Sequence, residues 1–240
     1  MKVALVGRDL DEVEPLVAEY GFVIDQDSPE VVISNGGDGA LLGAERLYPG
    51  IPKLGLRNSK TSTRHRDTDA QMVLQRLVEG TLREQRFLKL EAEVKGRKLI
   101  ALNDIIIHNK ILSSAVRYEV EIDGRNHMGE IVGDGLIVAT PFGSSAYYRS
   151  ITHSIFQVGI GLAFNNSIEP VNHLVLKETC EIEATILRGP AQAAADNDPE
   201  WVELDAGDKI KVRKSECFAR ILSIETLRGD QFHLINHTGG

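Results

Sequence analysis

A short buried strand followed at once by a glycine-rich turn constrains this chain more than any other stretch. Residues 31–34 (VVIS) crowd β-branched side chains together, which predicts a buried strand. The next five residues, NGGDG, cannot continue it, because three glycines permit positive φ and close approach of another molecule. ALLGAERL then begins a helix. A glycine-rich turn between a strand and a helix N-terminus favours anions, phosphates above all.

The carboxylate within this turn, Asp38, needs a reason, because it repels the phosphates that the turn attracts. One hypothesis is that Asp38 accepts a hydrogen bond or a proton from a substrate hydroxyl, or faces a magnesium ion. The alternative is that Asp38 only shapes or caps the turn. Short glycine motifs occur often without function, so the turn alone leaves both open.

Composition excludes several classes of protein. The 240 residues allow one large domain or two small ones, and 42% hydrophobic with 26% charged residues is ordinary for a soluble globular protein. A net charge of −8 argues against general nucleic-acid binding, although a local basic pocket is still allowed. Cys180 and Cys217 make neither a disulfide framework nor a zinc site, which favours a cytoplasmic setting. The opening MKVALVGRDL predicts a strand rather than a signal peptide, and no apolar run could span a membrane.

The first third of the chain alternates strands with helices. Strands are expected at Lys2–Gly7, at residues 31–34 and at Ile51–Leu56, with helical spacing between the first two and again from Ala70 to Gly80. This order predicts an α/β domain with a parallel sheet over residues 1–85. Ligands of such sheets bind beyond the carboxyl ends of the strands, where NGGDG would lie.

The pattern changes near residues 83–87 to runs of alternating apolar and polar residues. It predicts a mainly antiparallel β domain over residues 86–240, packed closely on the first because no flexible linker separates them. Ala191–Glu200 (AQAAADNDPE) is expected to be a loop. The alternating runs are FLKLEAEV, KLIALNDIIIHN, AVRYEVEI, CEIEATIL, KIKVR and FARILSI.

Three further stretches are candidates for a site. Asn103-Asp104 precede an apolar strand, and since both are poor strand residues they indicate a turn or a ligand contact. Asp134 opens a strand that leads into the small-residue turn FGSSAY, where Tyr147 could stack on a base; the alternative is a tight structural corner. The basic cluster from Arg57 to Arg66 could hold phosphates, or it is a solvated loop.

Taken in order, three of these motifs resemble those of the NAD kinase family, which uses ATP or polyphosphate. The family pattern is a GGDGT-like turn, an Asn-Glu pair and a DGLIVSTPTGSTAY-like segment. This chain has GGDGA (Gly36–Ala40), Asn103-Asp104 and DGLIVATPFGSSAY (Asp134–Tyr147). The third segment is long and specific, whereas the GGDG turn alone is shared with diacylglycerol, sphingosine and phosphofructokinase-type kinases. The resemblance covers roughly Met1–Tyr147 and continues loosely through EWVELDAGDKIKVRKS.

The resemblance implies a site in the cleft between the two domains. There the γ-phosphate of ATP would pass to the 2′-hydroxyl of the adenosine ribose of NAD, giving NADP. Asp38 would be the general base, Mg²⁺ would arrive with ATP, and no separate metal site is expected. Asn103 and Asp104 would hold the base and ribose, and NAD and ATP would be the ligands of a homodimer or homotetramer. The further nucleotide-binding residues implied are Gly37, Gly39, Asp134, Ser145, Ala146 and Tyr147.

The chain departs from the family pattern in five places. Ala40 replaces a threonine, and Asp104 is one methylene shorter than the usual glutamate. Phe142 stands where a small hydroxyl residue is common, Thr152-His153 replace Gly-Gly, and LRNSKTSTRH lacks the usual NxGxLGFL. The last three change the volume and polarity of the pocket.

These departures lead to one expectation about phosphate binding and keep two alternative functions open. Lys60 or Arg64 is expected to supply the phosphate contacts that the lost glycines would have given. One alternative is a nucleotide-binding sensor or regulatory protein that has lost catalysis. The other is a GGDG-type kinase acting on another hydroxyl, such as that of a lipid or a sugar. The residues leave open whether ATP or polyphosphate is the donor and whether NAD or NADH is the acceptor.

Overall fold

The computed structural model describes residues 1–56, 70–126 and 128–223, which form two compact units. The first unit contains Met1–Phe87 and takes up the chain again from Ala219, and the second contains Leu88–Phe218. The domains expected from the sequence, 1–85 and 86–240, stay a prediction. The predicted bounds did not include the return of the chain to the first unit at Ala219.

The first unit is an α/β layer around a parallel sheet. Its strands lie in the order β4-β3-β1-β2, and each neighbouring pair is parallel, as predicted. Its elements are β1 (Lys2–Gly7), α1 (Leu10–Glu19), β2 (Val23–Ile24), β3 (Val31–Asn35), α2 (Asp38–Leu47), β4 (Lys53–Leu56) and α3 (Ala70–Val78).

Helices cover both faces of this sheet. On one face, Val3 and Ile33 pack with residues of α1 and α3, including Val17 and Leu74. On the other face, Ala4 and Val32 pack with Ala44 of α2. Because β3 is buried on both faces, its sequence is a continuous apolar run rather than an alternation of apolar and polar residues.

The second unit is built mainly from antiparallel strands, as predicted. Its elements are β5 (Arg83–Val94), β6 (Arg97–Ala101), β7 (Asp104–Asn109), β8 (Val116–Ile122), β9 (Arg125–Asn126), β10 (Ile131–Gly133), β11 (Gly135–Ala139), a 3-10 turn (Gly143–Ser145), α4 (Tyr147–Thr152), β12 (Ile160–Asn165), β13 (Leu174–Leu176), β14 (Ile182–Arg188), β15 (Ala191–Ala195), β16 (Val202–Leu204) and β17 (Lys209–Ser223).

These strands form two sheets that enclose one core. One sheet has the order β10-β8-β14-β17, with β5 beside β17, and the other has the order β13-β12-β11-β7-β15-β16. Leu90, Tyr118 and Ile186 from the first sheet pack with Ile107 and Leu136 from the second. Two strands are shared between the units, because residues 83–87 of β5 and residues 219–223 of β17 belong to the first unit. In the first unit, Ile221 and Leu222 of β17 pair in parallel with β4.

The prediction of a loop at Ala191–Glu200 is wrong over its first half. Residues Ala191–Ala195 form β15, which pairs with both β7 and β16. Alanine has little intrinsic preference for strands, but context outweighs propensity in a sheet. Ala191, Ala193 and Ala195 fill the core face of this strand, so the pairing of neighbouring strands decides the structure.

No helix in the described part of the chain is long and apolar enough to cross a membrane.

Candidate functional site

The glycine turn of the first unit is anchored to three strand ends. The buried Asn35 donates from Nδ2 to the carbonyl oxygen of Arg8 at 2.7 Å, and the Arg8 amide donates to Asn35 O at 3.1 Å. The Gly36 amide donates to Leu56 O at 3.0 Å. Gly36 has φ of 138°, which only glycine adopts readily, and the turn leads directly into α2. The turn is therefore held from below while its tip is left exposed.

Asp38 lies at that exposed tip as the first residue of α2, between the exposed Gly37 and Gly39. The N-cap position is occupied by Gly37, with φ of −86°, and no side-chain hydrogen bond caps this helix. Asp38 is therefore not the capping residue, which removes one form of the structural alternative. A carboxylate in the first turn of a helix is favoured by the positive end of the helix dipole.

In the second unit, the turn that contains Asn103 and Asp104 is held on both of its backbone edges. On the amide edge, Asp196 accepts hydrogen bonds from the backbone N–H groups of Leu102 at 2.8 Å, Asn103 at 2.7 Å and Asp104 at 3.1 Å. On the carbonyl edge, Thr140 donates from Oγ1 to Leu102 O at 2.6 Å and from its amide to Asn103 O at 2.8 Å. The backbone is thus fixed by other residues, and the side chains of Asn103 and Asp104 are not needed to close the turn.

Asp104 has a strongly perturbed acidity. Only 3% of its surface is exposed, and this burial, followed by the nearby Asp196 carboxylate, raises the pKa of Asp104 to about 7. Burial also raises the pKa of Asp196, although its three backbone donors oppose that shift. Perturbed carboxyl groups of this kind concentrate at functional sites.

The small-residue turn of the third motif packs directly on Asn103. A Cβ atom at Gly143 would lie 2.2 Å from Asn103 O and 2.5 Å from its Cα, so only glycine fits. The Gly143 amide donates to Thr140 Oγ1 at 3.0 Å, and the buried Ser144 Oγ lies 2.8 Å from Pro141 O. The structure therefore brings the second and third motifs of the sequence into contact.

We expect Gly143→Ala to destabilise the second unit by about 1–3 kcal/mol, because its Cβ overlaps backbone that cannot rotate away. The added Cβ atom should also displace Asn103, and this displacement should weaken nucleotide binding. Thermal melts and calorimetry with NAD measure both effects. Gly43→Ala is the matched control, since a Cβ there meets nothing within 4 Å and its position inside α2 favours alanine. Equal stability of Gly143→Ala and the wild type would show that the contact is loose.

Tyr147 and Asp134 lie on the same side of the second unit. Tyr147 begins α4, is half-buried, and accepts a hydrogen bond from Asn165 Nδ2 at 3.2 Å. Burial raises the pKa of Tyr147, and the charges of Asp134 and Asp104 raise it further, so the three groups are electrostatic neighbours. The Asp134 carboxylate accepts a hydrogen bond from Asn166 Nδ2 at 3.1 Å. Beside them Ser145 is exposed and Ala146 is half-buried.

The predicted site residues are therefore distributed unevenly. The second unit gathers Asn103, Asp104, Asp134 and the 145–147 segment, while Gly37, Asp38 and Gly39 belong to the first unit. Lys60 and Arg64 lie outside the described residues, so their predicted role as phosphate contacts stays a prediction.

Two further departures from the family pattern lie at or near the small-residue turn of the second unit. Phe142 is half-buried and immediately precedes the turn that contacts Asn103. His153 follows α4 as its C-cap with φ of 55°, a left-handed conformation that glycine adopts more easily. The histidine thus keeps the backbone conformation of a glycine while adding a ring.

Sequence reasoning missed four residues that shape the site. Asp196 and Thr140 hold the Asn103-Asp104 turn, and Asn165 lies between Tyr147 and His108, with its Nδ2 3.2 Å from His108 Nε2. The order of residues carried no signal for Asp196, because it lies within the segment Ala191–Glu200 that was expected to be a loop. A polar histidine at the end of the apolar run IIIH was a usable signal.

Comparisons with known proteins agree with this geometry. Residues 102–223 match the family model described as ATP-NAD kinase C-terminal domain, and this stretch begins at the turn that contains Asn103 and Asp104. An NAD kinase of Acidithiobacillus ferrooxidans is 30% identical over 213 residues, covering 82% of this chain and 71% of that protein.

Two solved structures share the fold. The structure of yeast NADH kinase complexed with NADH has a TM-score of 0.83 at 17% identity, covering 99% of this chain and 87% of that one. The structure of an NAD kinase from Archaeoglobus fulgidus in complex with ATP has a TM-score of 0.79 at 20% identity, covering 98% and 97%. With a family model matching half of its residues and a relative of this similarity, the chain belongs to the NAD kinase family.

Proposed function

We propose that this chain is an NAD kinase, which transfers the γ-phosphate of ATP to the 2′-hydroxyl of the adenosine ribose of NAD and releases NADP and ADP. The observation that carries the proposal is the family match over residues 102–223, which includes the clamped Asn103-Asp104 turn and the segment packed on it. Relatives that bear the name NAD kinase match most of the chain, including its first unit.

In this proposal Asp38 is the general base. The 2′-hydroxyl oxygen attacks the γ-phosphorus while its proton passes to the Asp38 carboxylate, and the bond from that phosphorus to the β–γ bridging oxygen breaks. Exposure of Asp38 on an anchored turn supports the role, because a base must reach the substrate without moving. Little other covalent work is required, since such reactions depend on alignment and on offsetting charge.

The second unit supplies the nucleotide contacts in this proposal. Asn103 and Asp104 hold the base and the ribose, and their fixed backbone supports this role because it defines where both side chains point. Asp134, Ser145, Ala146 and Tyr147 line the remaining pocket. Gly37 and Gly39 let phosphates approach the backbone beside Asp38.

Magnesium is proposed to enter with ATP. In residues 1–56, 70–126 and 128–223 there is no group of three or more His, Cys, Asp or Glu side chains that could hold a metal ion. Mg²⁺ usually keeps several waters and is bound through substrate phosphates with only one or two carboxylates, so the phosphates of ATP would supply most of its ligands. Bound there, the ion would offset charge on the transferring phosphate.

The direct test is turnover with ATP, Mg²⁺ and NAD, with NADP measured by a dehydrogenase that is specific for it. We expect NADP to form at the rate that ADP appears. Parallel reactions with polyphosphate and with NADH identify the donor and the acceptor. Calorimetry with NAD in the absence of ATP separates the outcomes. Binding without turnover would favour a protein that has lost catalysis. The absence of both binding and turnover would refute the nucleotide site.

We propose a homodimer or homotetramer in the cytoplasm, on the basis of the family and of the β-rich second unit, whose second sheet has its edges at β13 and β16 and so carries a risk of edge pairing. Light scattering at micromolar concentration tests the assembly, and a monomer would contradict it.

A further inference from the structure

One carboxylate, that of Asp196, receives three consecutive backbone N–H groups. Oδ1 accepts from Asn103 and Asp104 and Oδ2 accepts from Leu102, while the Asp196 amide donates to Asp104 O at 2.9 Å. Asp196 itself has φ of 50°, so the chain turns sharply after β15 to direct this side chain back at the turn. These bonds join segments more than ninety residues apart in sequence.

We propose that Asp196 is a positioning residue for the nucleotide site, acting on bound nucleotide through Asn103 and Asp104 and not by touching it. The inference rests on the proposed function, in which those two side chains hold NAD. It deepens that function by naming what fixes their direction and what sets the charge of Asp104.

Asp196 holds the turn, and its charge also acts on Asp104. The carbonyl edge of the turn is already held by Thr140, and Gly143 packs against Asn103 from the same side. The three N–H groups of the amide edge use both oxygens of Asp196, and this arrangement places a second carboxylate beside Asp104. The negative charge of Asp196 therefore has an additional effect, which falls on Asp104.

That effect is electrostatic and is set by a small group of residues. Asp196 raises the pKa of Asp104 in addition to burial, and Lys89 of β5 acts on Asp196 in the opposite sense. From α4, Tyr147 faces Asp104 and also Asp134. Because the pKa of Asp104 is about 7, its charge changes within the physiological range. An ionised carboxylate accepts hydrogen bonds from ribose hydroxyls through both oxygens, so binding should strengthen as pH rises through 7.

The test is Asp196→Asn, which removes the charge and turns an amide toward one of the three N–H groups. We expect the KM for NAD to rise by roughly 10–100-fold while the KM for ATP is unchanged, because the misplaced side chains contact only NAD. We also expect the pH midpoint of NAD binding to move down, since one cause of the raised Asp104 pKa is gone. Asp198→Asn is the matched control in the same loop, where Asp198 is half-buried and its carboxylate accepts a hydrogen bond from the Glu200 amide.

Titration of Asp104 by carboxyl NMR in nucleotide-free protein separates this inference from the proposed function. If the wild type binds no NAD, the proposed function fails, yet the Asp104 titration should still shift in Asp196→Asn. If that variant does not fold, Asp196→Glu keeps the charge and displaces the carboxylate by one methylene. It should keep a raised Asp104 pKa and lose NAD affinity. Unchanged NAD affinity and unchanged Asp104 titration in a folded variant at residue 196 would overturn the inference.

Discussion

Replacing Asp38 with asparagine is expected to lower the rate of NADP formation by about 10²–10⁴-fold, the usual contribution of a positioned general base. Asparagine keeps the size of the side chain and its place in the first turn of α2, but it cannot take a proton from the 2′-hydroxyl. The turn itself should persist, because it is anchored through Asn35 and Gly36 and not through the side chain of Asp38. Turnover at saturating NAD and ATP measures the loss.

Asp11→Asn is the matched control for this experiment. Asp11 is also an exposed aspartate in the first turn of a helix of the first unit, so its removal makes the same change in charge and helix-dipole interaction. Full turnover is expected in the control. A folded Asp38→Asn protein with near-normal turnover would show that the base is another group, whereas a protein that unfolds would show that Asp38 is structural.

The second large effect concerns stability and has the opposite sign from most point substitutions, which destabilise. Asp104→Asn should stabilise the protein at pH 8 by about 4 kcal/mol, the value of raising a carboxyl pKa by about three units. In the folded state the pKa of Asp104 is about 7, against an ordinary value of 3.8. The folded protein therefore retains a proton that the unfolded chain has lost between these two values. Wild-type stability falls as pH rises through this window, and it has lost the full amount above pH 7.

Denaturant unfolding of both proteins from pH 4 to pH 8 tests this sign. The difference in unfolding free energy should be near zero at pH 4 and should grow with pH up to about 7. Asp198→Asn, at a half-buried position in the loop after β15, should show no such growth. NAD affinity should fall in Asp104→Asn at every pH where the wild type is ionised. A variant less stable than the wild type at pH 8 would mean that the Asp104 carboxylate has a favourable partner when charged.

The features that could be predicted from the sequence are those determined by residues close together in the chain. The strand before the glycine turn, β3, was predictable because a strand buried on both faces has a continuous apolar sequence. Helix α3 was predictable from the spacing of Val73, Leu74 and Leu77, all of which are buried. The three motifs were visible because each is contiguous in sequence.

The parts that escaped prediction depend on pairing between distant segments. β15 is a run of alanines and glutamine that becomes a strand only between β7 and β16. The role of Asp196 follows from that pairing, since it sets the carboxylate beside a turn 92–94 residues earlier in the chain. Nothing in AQAAADNDPE by itself indicates either outcome.

The return of the last strand to the first unit also affects how the chain can be made. Leu54 of β4 leaves the ribosome long before its partner Leu222, because 168 residues separate them. At translation rates of about 5–20 residues per second, that interval is roughly ten to thirty seconds. Throughout this interval the outer edge of β4 lacks its native neighbour and offers unpaired backbone groups to any other nascent chain. The last strand that the structure describes, β17, is thus the one that covers this edge, so a chain that terminates before it would carry an open β4 edge.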